Sequence, residues 1–218
     1  MTGAAPHSVP LPPEEVASAV GHALNNVLPF LYAASSFLDG EDDPPDIERA
    51  RRAIDDACRS ARILGAALST LGLAGADAAG LPPFGQRIDA EALAGILLGA
   101  EAATGARIVA PPAGAPALRT TLDIDSISAL VVCAATAGRR ACGPAATLTC
   151  AASTAEAGAL AIEVTAEPRP AASARRGTPG PCELALAHAA RVLGALDARV
   201  EAVEPGRVRL AIAAREAP

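Results

Sequence analysis

One histidine and two asparagines stand within about one turn of a predicted helix, in the stretch VGHALNNVLPFLYAASSFLD that runs from position 20 to 39. Residues three and four positions apart share a face of an α-helix, so His22 lies one turn from Asn25 and Asn26. An exposed imidazole is a usable nucleophile, and a phosphoryl group carried on it needs hydrogen-bond donors or a positioned water nearby. The two amides can supply these, although the spacing alone also fits an ordinary surface histidine.

Pro29 follows this motif directly. A proline has no backbone N–H to bond the carbonyl of Asn25, so we expect the helix to bend just after the histidine. Leu24 and Val27 are expected to point inward, which turns His22 toward the surface. The bend would then give a partner access to the imidazole.

The elements that position this motif are two long helices. Apolar residues recur at three- and four-residue steps from Val16 to Leu38, which predicts a helix over about 14–38. The acidic, proline-rich segment 39–46 ends this helix, and Asp46 can cap a second helix over about 47–73. A short turn between two helices predicts an antiparallel hairpin, and its half-covered apolar stripe predicts a dimeric four-helix bundle.

The pattern changes after a Gly/Pro-rich linker. We predict helices over 89–104, 125–142 and 182–196, strands within 106–111, 146–153 and 159–168, and a closing β-hairpin after 197 that turns at Pro205 and Gly206. This combination predicts a mixed sheet with helices on one side. The expected organisation is a disordered lead over 1–13, the hairpin over 14–73, a linker over 74–86 and an α+β domain over 87–218.

Composition excludes several classes of function. The net charge is −6 and all basic residues are arginines without a visible cluster, which argues against a general nucleic-acid binder. The five cysteines have no metal-ligand spacing, so we expect reduced, buried thiols and no metal site. Position 1–15 has no signal-peptide pattern and no apolar run is long enough to cross a membrane, so a cytoplasmic protein is expected.

Two other features have structural interpretations. His188 is expected at the boundary between core and solvent of the last long helix. Arg139 and Arg140 are expected to interact with the negative end of the helix that they terminate.

The motif HALNNVL, followed by a second long helix, resembles the H-box of sensor histidine kinases, whose dimerisation and phosphotransfer hairpin carries a sequence such as His-Glu-Leu-Asn-Asn-Pro-Leu. The resemblance implies that His22 is the phospho-accepting histidine and that Asn26 is the polar residue that assists phosphatase chemistry. The order of hairpin, linker and α/β module implies a Bergerat-like sandwich, as in the kinase ATPase domain.

The chain departs from that family at the residues that use ATP. The acid that follows the histidine is replaced by Ala23, the segment at the place of the N-box helix (122–141) has no asparagine, and segment 162–171 lacks the glycines and aspartate of the adenine loop. The lid glycines are reduced to Gly177 and Gly180. This pattern resembles dimeric histidine phosphotransferases of the ChpT type, which have a hairpin and a vestigial ATPase domain.

This resemblance implies a protein that relays phosphoryl groups between response-regulator receiver domains through a phosphohistidine, without binding ATP. It needs no cofactor of its own, because the receiver brings the magnesium and the acid chemistry. Two alternatives remain open: a pseudokinase or phosphatase that binds a response regulator, with Asn26 positioning water, and a purely structural dimeric adaptor.

Overall fold

A computed structural model of the chain describes residues 13–39, 46–73, 86–109, 117–143, 146–155, 159–167, 179–196, 198–204 and 207–216. The helices are α1 (Pro13–Asp39), α2 (Ile47–Gly72), α3 (Ala90–Thr104), α4 (Ile124–Cys142) and α5 (Pro181–Val192), with a 3₁₀ turn at Leu193–Leu196. The strands are β1 (Gln86–Ile88), β2 (Arg107–Val109), β3 (Leu118–Thr120), β4 (Thr147–Ala155), β5 (Ala159–Glu167), β6 (Ala198–Glu204) and β7 (Arg207–Glu216). The α+β class is confirmed. The predicted lead 1–13 and linker 74–86 lie outside the described residues, except for Pro13 and Gln86.

Helices α1 and α2 form an antiparallel hairpin, as their patterns predict. The backbone N–H of Asp46 donates to the carbonyl of Phe37 at 3.0 Å, which joins the two helices next to the connection. The Asp46 side chain also accepts from the backbone N–H of Arg49 at 3.0 Å, so it caps α2 as predicted. The Arg49 guanidinium lies 6.0 Å from the ring centroid of Phe37.

The hairpin buries alanines and exposes its larger apolar residues. The face of α2 that packs inward is built from Ala50, Ala53, Ala57, Leu64 and Ala67. Leucines and isoleucines lie exposed instead, at Leu24, Leu28, Leu31 and Leu38 on α1 and at Ile47, Ile54 and Leu68 on α2. Within one hairpin Leu24 therefore does not point into the core, and its inward place in a dimeric bundle stays a prediction. Small alanines allow close helix packing, and Leu24 remains 48% exposed while Val27 is half-buried.

The seven strands form one mixed sheet in the order β1-β3-β7-β5-β4-β2, and β6 also pairs with β7. Strands β2 and β4 are parallel, while the other neighbours are antiparallel. Side chains alternate across β5: Leu160, Ile162 and Val164 are buried, whereas Glu163 and Thr165 are half-buried. The helices of the second module pack on the buried face, as the sequence predicts.

One apolar core joins the second module to the hairpin. Ala66 and Ala67 of α2 belong to the same cluster of buried residues as the sheet and helices α3, α4 and α5. Helix α2 packs on both α4 and α5, and α1 also contacts α5. The hairpin is consequently held against the helical side of the sheet. Within the described ranges, no helix combines the length and the apolar character that crossing a membrane requires.

Candidate functional site

The three residues of the predicted site all lie in α1, a single helix of 27 residues. The side chain of Asn25 is exposed. The side chains of His22 and Asn26 lie outside the described residues. The predicted placement of these residues one helical turn apart therefore follows from the helical backbone alone.

Helix α1 continues through Pro29 to Asp39. Proline lacks the N–H that would bond the Asn25 carbonyl, so this carbonyl has no backbone donor at its usual position. Helix α2 packs along α1 on one side. The predicted bend stays a prediction.

The hairpin register shows which part of α2 accompanies the histidine. Phe37 and Asp46 are bonded across the connection. His22 lies about four turns before Phe37, and Arg59 lies about four turns after Asp46. Arg59 and the following turn of α2, up to Ile63, are thus at the level of His22 along the hairpin.

The same level of α2 contacts the beginning of α5. The Cys182 thiol donates to the backbone carbonyl of Ile63 at 3.9 Å, and Cys182 is fully buried. A hydrogen bond with Cys133, and then burial, raise the pKa of the Cys182 thiol well above its usual range. The candidate histidine is therefore at the level where the hairpin meets the second module.

Helix α4 contains most of the segment that was compared with an N-box helix, and it is packed on several sides. Every residue from Ala129 to Ala135 is buried. Thr70 of α2 is also buried, and its Oγ1 lies 3.7 Å from the Cys133 Sγ of α4. Helices α2, α3 and α5 and strands β4, β5 and β7 all contact α4. These residues build a core contact rather than a cleft.

The N-cap of α5 is hydrogen-bonded by a side chain of this same chain. Gly180 is the N-cap residue, and its backbone N–H donates to the Glu183 carboxylate at 3.0 Å. Arg140 of α4 pairs with the other oxygen of that carboxylate, with 3.2 Å between Nε and Oε1. A Cβ atom at position 180 would collide with the Arg140 guanidinium. Gly177, the other lid glycine named above, lies outside the described residues.

The charge of Arg59 on α2 acts on Arg139 of α4, an interaction that sequence analysis did not foresee. Burial, and then the charge of Arg59, lower the pKa of Arg139. The Arg139 Nε is buried and has no hydrogen-bond partner among the described residues. Its guanidinium lies 3.7 Å from where a Cβ of Gly105 would be, at the left-handed C-cap of α3. The two arginines are 80 positions apart, so only the position of Arg139 in the last turn of α4 was readable from the sequence.

His188 is half-buried, which confirms its predicted place at the boundary of the core. Burial, and then the nearby charge of Arg191, lower its pKa. Its Nε2 is buried and without a hydrogen-bond partner within the described ranges. Across the same part of the chain, no group of three or more His, Cys, Asp or Glu side chains is placed to hold a metal ion.

Comparison with known proteins finds similarity at the level of solved structures. A bacterial phosphotransferase is 12% identical, with 94% of this chain and 98% of that chain covered and a TM-score of 0.49. A histidine kinase from Burkholderia phymatum is 15% identical, with coverages of 91% and 98% and a TM-score of 0.43. The Acinetobacter baumannii histidine kinase AdeS is 12% identical, with coverages of 89% and 97% and a TM-score of 0.47. No protein-family model and no curated protein matches the chain.

Proposed function

We propose that the chain is a cytoplasmic histidine phosphotransferase of two-component signalling, which relays phosphoryl groups between receiver domains through His22. The observation that supports it most directly is the place of the HALNNVL motif. His22, Asn25 and Asn26 lie on α1 of a two-helix hairpin, at the level where α2 meets the second module. The module order resembles the dimeric phosphotransferases of the ChpT type.

The proposed reaction needs no nucleotide on this chain. An imidazole nitrogen of His22 attacks the phosphorus of a receiver's aspartyl phosphate, and the P–O bond breaks with its electron pair remaining on the carboxylate. The reverse reaction on a second receiver regenerates the imidazole. Magnesium comes with the receiver, and the amides of Asn25 and Asn26 are proposed to bind the phosphoryl oxygens or a water.

The packing of α4 supports a role without ATP. The family uses this helix to bind magnesium and phosphate, whereas here residues 129–135 are buried and α2 closes over Cys133. Ala23 cannot act as the base that the family's acid provides for attack on ATP. We therefore infer a degenerate Bergerat-like module that holds the hairpin and takes part in docking.

The exposed residues of the hairpin support a homodimer. Leu24, Leu28, Leu31 and Leu38 recur at helical spacing on α1, and Ile47, Ile54 and Leu68 recur at multiples of seven on α2. Two apolar stripes along both helices of a hairpin are costly in water. A second copy of the hairpin would cover them in a four-helix bundle, with the two stripes as the shared core.

The test is the transfer of acid-labile label to the purified protein. Labelled phospho-receiver domains are supplied in one arm and labelled ATP in the other, with His22→Gln in both. We expect the wild type to take label from a receiver and not from ATP. We expect His22→Gln to take no label in either arm. Failure of every receiver to transfer label to the folded wild type would contradict the relay.

The alternatives give different results in the same experiment. A phosphatase or pseudokinase would release the receiver's label as inorganic phosphate without label on the protein, and Asn26→Ala would slow that release. A structural adaptor would leave the receiver's label unchanged. Asn25→Ala, a neighbouring amide in α1, is the matched control for Asn26→Ala.

A further inference from the structure

The arginine pair Arg59 and Arg139 differs from the other arginines whose ionic contacts the structure describes. Arg49, Arg140 and Arg207 each have a carboxylate oxygen between 2.6 and 3.2 Å away, from Asp46, Glu183 and Glu163 respectively. Among the described residues, the ion pair of Arg59 is with Asp56 at 3.7 Å, and both side chains of that pair are about half exposed. Solvent and salt screen such a pair strongly, so Asp56 compensates the positive charge of Arg59 only weakly.

Arg139 lies where α4 ends and is partly withdrawn from water. Its Nε has no hydrogen-bond partner among the described residues, and its guanidinium lies 3.7 Å from where a Cβ of Gly105 would be. A side chain at position 105 would come within ordinary contact distance of this guanidinium.

Two guanidinium groups that repel one another are stabilised by an anion that contacts both. Guanidinium groups bind carboxylate and phosphoryl oxygens through paired N–H donors, and such charge-assisted bonds are stronger than neutral ones. Asp56 contacts Arg59 only weakly, and no carboxylate of the described residues pairs with Arg139. The pair is therefore suited to an anionic group from another molecule.

The position of the pair along the hairpin selects the kind of anion. Arg59 is at the level of His22, as the hydrogen bond between Phe37 and Asp46 fixes the register. Arg139 lies in the last turn of α4, and α2 packs on α4. A molecule that exchanges a phosphoryl group with His22 must approach this level of the hairpin.

We propose that Arg59 and Arg139 together form the electrostatic contact for the acidic phosphorylation pocket of a receiver domain that docks at the level of His22. The inference rests on the proposed function. A receiver's pocket carries the aspartyl phosphate and the carboxylates that hold magnesium, so it offers the oxygens that the two guanidiniums lack. The contact positions the partner and forms no bond to the phosphoryl group that is transferred.

The test separates binding from transfer. The KM and kcat for transfer from a labelled phospho-receiver are measured for the wild type, Arg59→Gln, Arg139→Lys and Arg199→Gln at two ionic strengths. Arg199 is an exposed arginine on β6 and serves as the control for loss of one positive charge. Affinity for the same receiver activated by beryllofluoride is measured separately by titration.

Arg59→Gln is expected to raise KM about tenfold with kcat nearly unchanged, because one charge-assisted contact is lost. Its KM should also depend less on ionic strength than that of the wild type. Arg139→Lys keeps the charge but loses the paired donors, and a smaller increase is expected. Arg199→Gln should behave as the wild type.

Other outcomes overturn the proposal. If Arg59→Gln transfers label with an unchanged KM, the pair is not the docking contact, although the relay itself stands. If inorganic phosphate stabilises the wild type but not Arg59→Gln while KM is unchanged, the pair binds a small anion instead. If no receiver transfers label, the relay fails. The docking contact then stands only if Arg59→Gln lowers the affinity for the receiver activated by beryllofluoride.

Discussion

The hydroxyl Oγ1 of Thr70 lies 3.7 Å from the Sγ of Cys133, and both residues are fully buried. Thr70 belongs to the hairpin and Cys133 to the second module. Cys182 extends this contact, because its thiol reaches the carbonyl of Ile63 on the same helix α2. The end of α2 is thus a core element of the second module as well as one half of the hairpin.

This shared core predicts which thiols react in the native protein. Cys58 is exposed, whereas Cys133, Cys142, Cys150 and Cys182 are buried. Burial raises the pKa of Cys150 to about 11, and a hydrogen bond with the Cys133 thiol, and then burial, raise the pKa of Cys182. Few thiolates form at these sites near pH 8, so Cys58 should react first.

The measurement is titration with a thiol-specific disulfide reagent at pH 8. One thiol per chain should react rapidly in the native state, and five should react after denaturation. Cys58→Ser should remove the rapid phase. Rapid reaction of the remaining thiols in folded Cys58→Ser would mean that the contact between α2, α4 and α5 opens readily.

The exposed stripe of α1 predicts the effect of a charge on assembly. Leu31→Glu places a carboxylate in the stripe formed by Leu24, Leu28 and Leu38. The Kd of the proposed dimer should therefore rise at least tenfold, which is a loss of about 1.4 kcal/mol in the free energy of association. Sedimentation equilibrium measures this change. Leu98→Glu on α3 is the matched control, because Leu98 is 51% exposed and Leu31 is 48% exposed.

Leu98→Glu is expected to leave the association constant unchanged. Equal dissociation of both variants would indicate a general effect of added negative charge. A wild type that remains monomeric at all concentrations would contradict the dimer itself.

Two glycines of α3 should respond oppositely to alanine. Gly105 has φ +67°, and a side chain in this left-handed conformation costs about 1–2 kcal/mol, so Gly105→Ala should lower the free energy of unfolding. Gly95 lies exposed in the helix interior, and a Cβ there meets no atom within 4 Å. Gly95→Ala should raise the free energy of unfolding by about 0.5–1 kcal/mol.

Urea denaturation of both variants checks the pair. Gly105→Asn is a useful third variant, since asparagine tolerates this conformation better than alanine. A neutral or stabilising effect of Gly105→Ala would mean that the end of α3 relaxes into another conformation.

Local sequence patterns predicted the helices well because helix formation and capping depend on residues that are close in the sequence. Asp46, Asp89 and Asp123 each accept a hydrogen bond from the backbone three residues later, and the helices begin beside them. The three-residue strands β1 and β3 were missed. Each is too short for a readable alternation, and pairing with distant β7 through β3 stabilises them.

The candidate site also has one part that the sequence predicted and one part that it did not. The motif from His22 to Asn26 was readable because its residues are neighbours on one helix. The approach of Arg59 to Arg139 depends on how α2 packs against α4, which no local pattern contains. The burial of alanines and exposure of leucines in the hairpin also depend on packing distances, since both residue types fit a helical stripe.

His188 predicts a pH dependence of stability. Burial, and then the charge of Arg191, hold its folded-state pKa below the ordinary value of about 6.5. The unfolded state therefore binds more protons between the lowered pKa and about 6.5, so the free energy of unfolding should fall as pH decreases through this window. His188→Gln removes this contribution. Urea denaturation at pH 7.5 and 5.5 should show a smaller loss of stability in His188→Gln than in the wild type. The other two histidines are common to both proteins and cancel in this difference. An equal loss in both would mean that His188 becomes protonated without leaving its place, with the imidazolium reaching solvent.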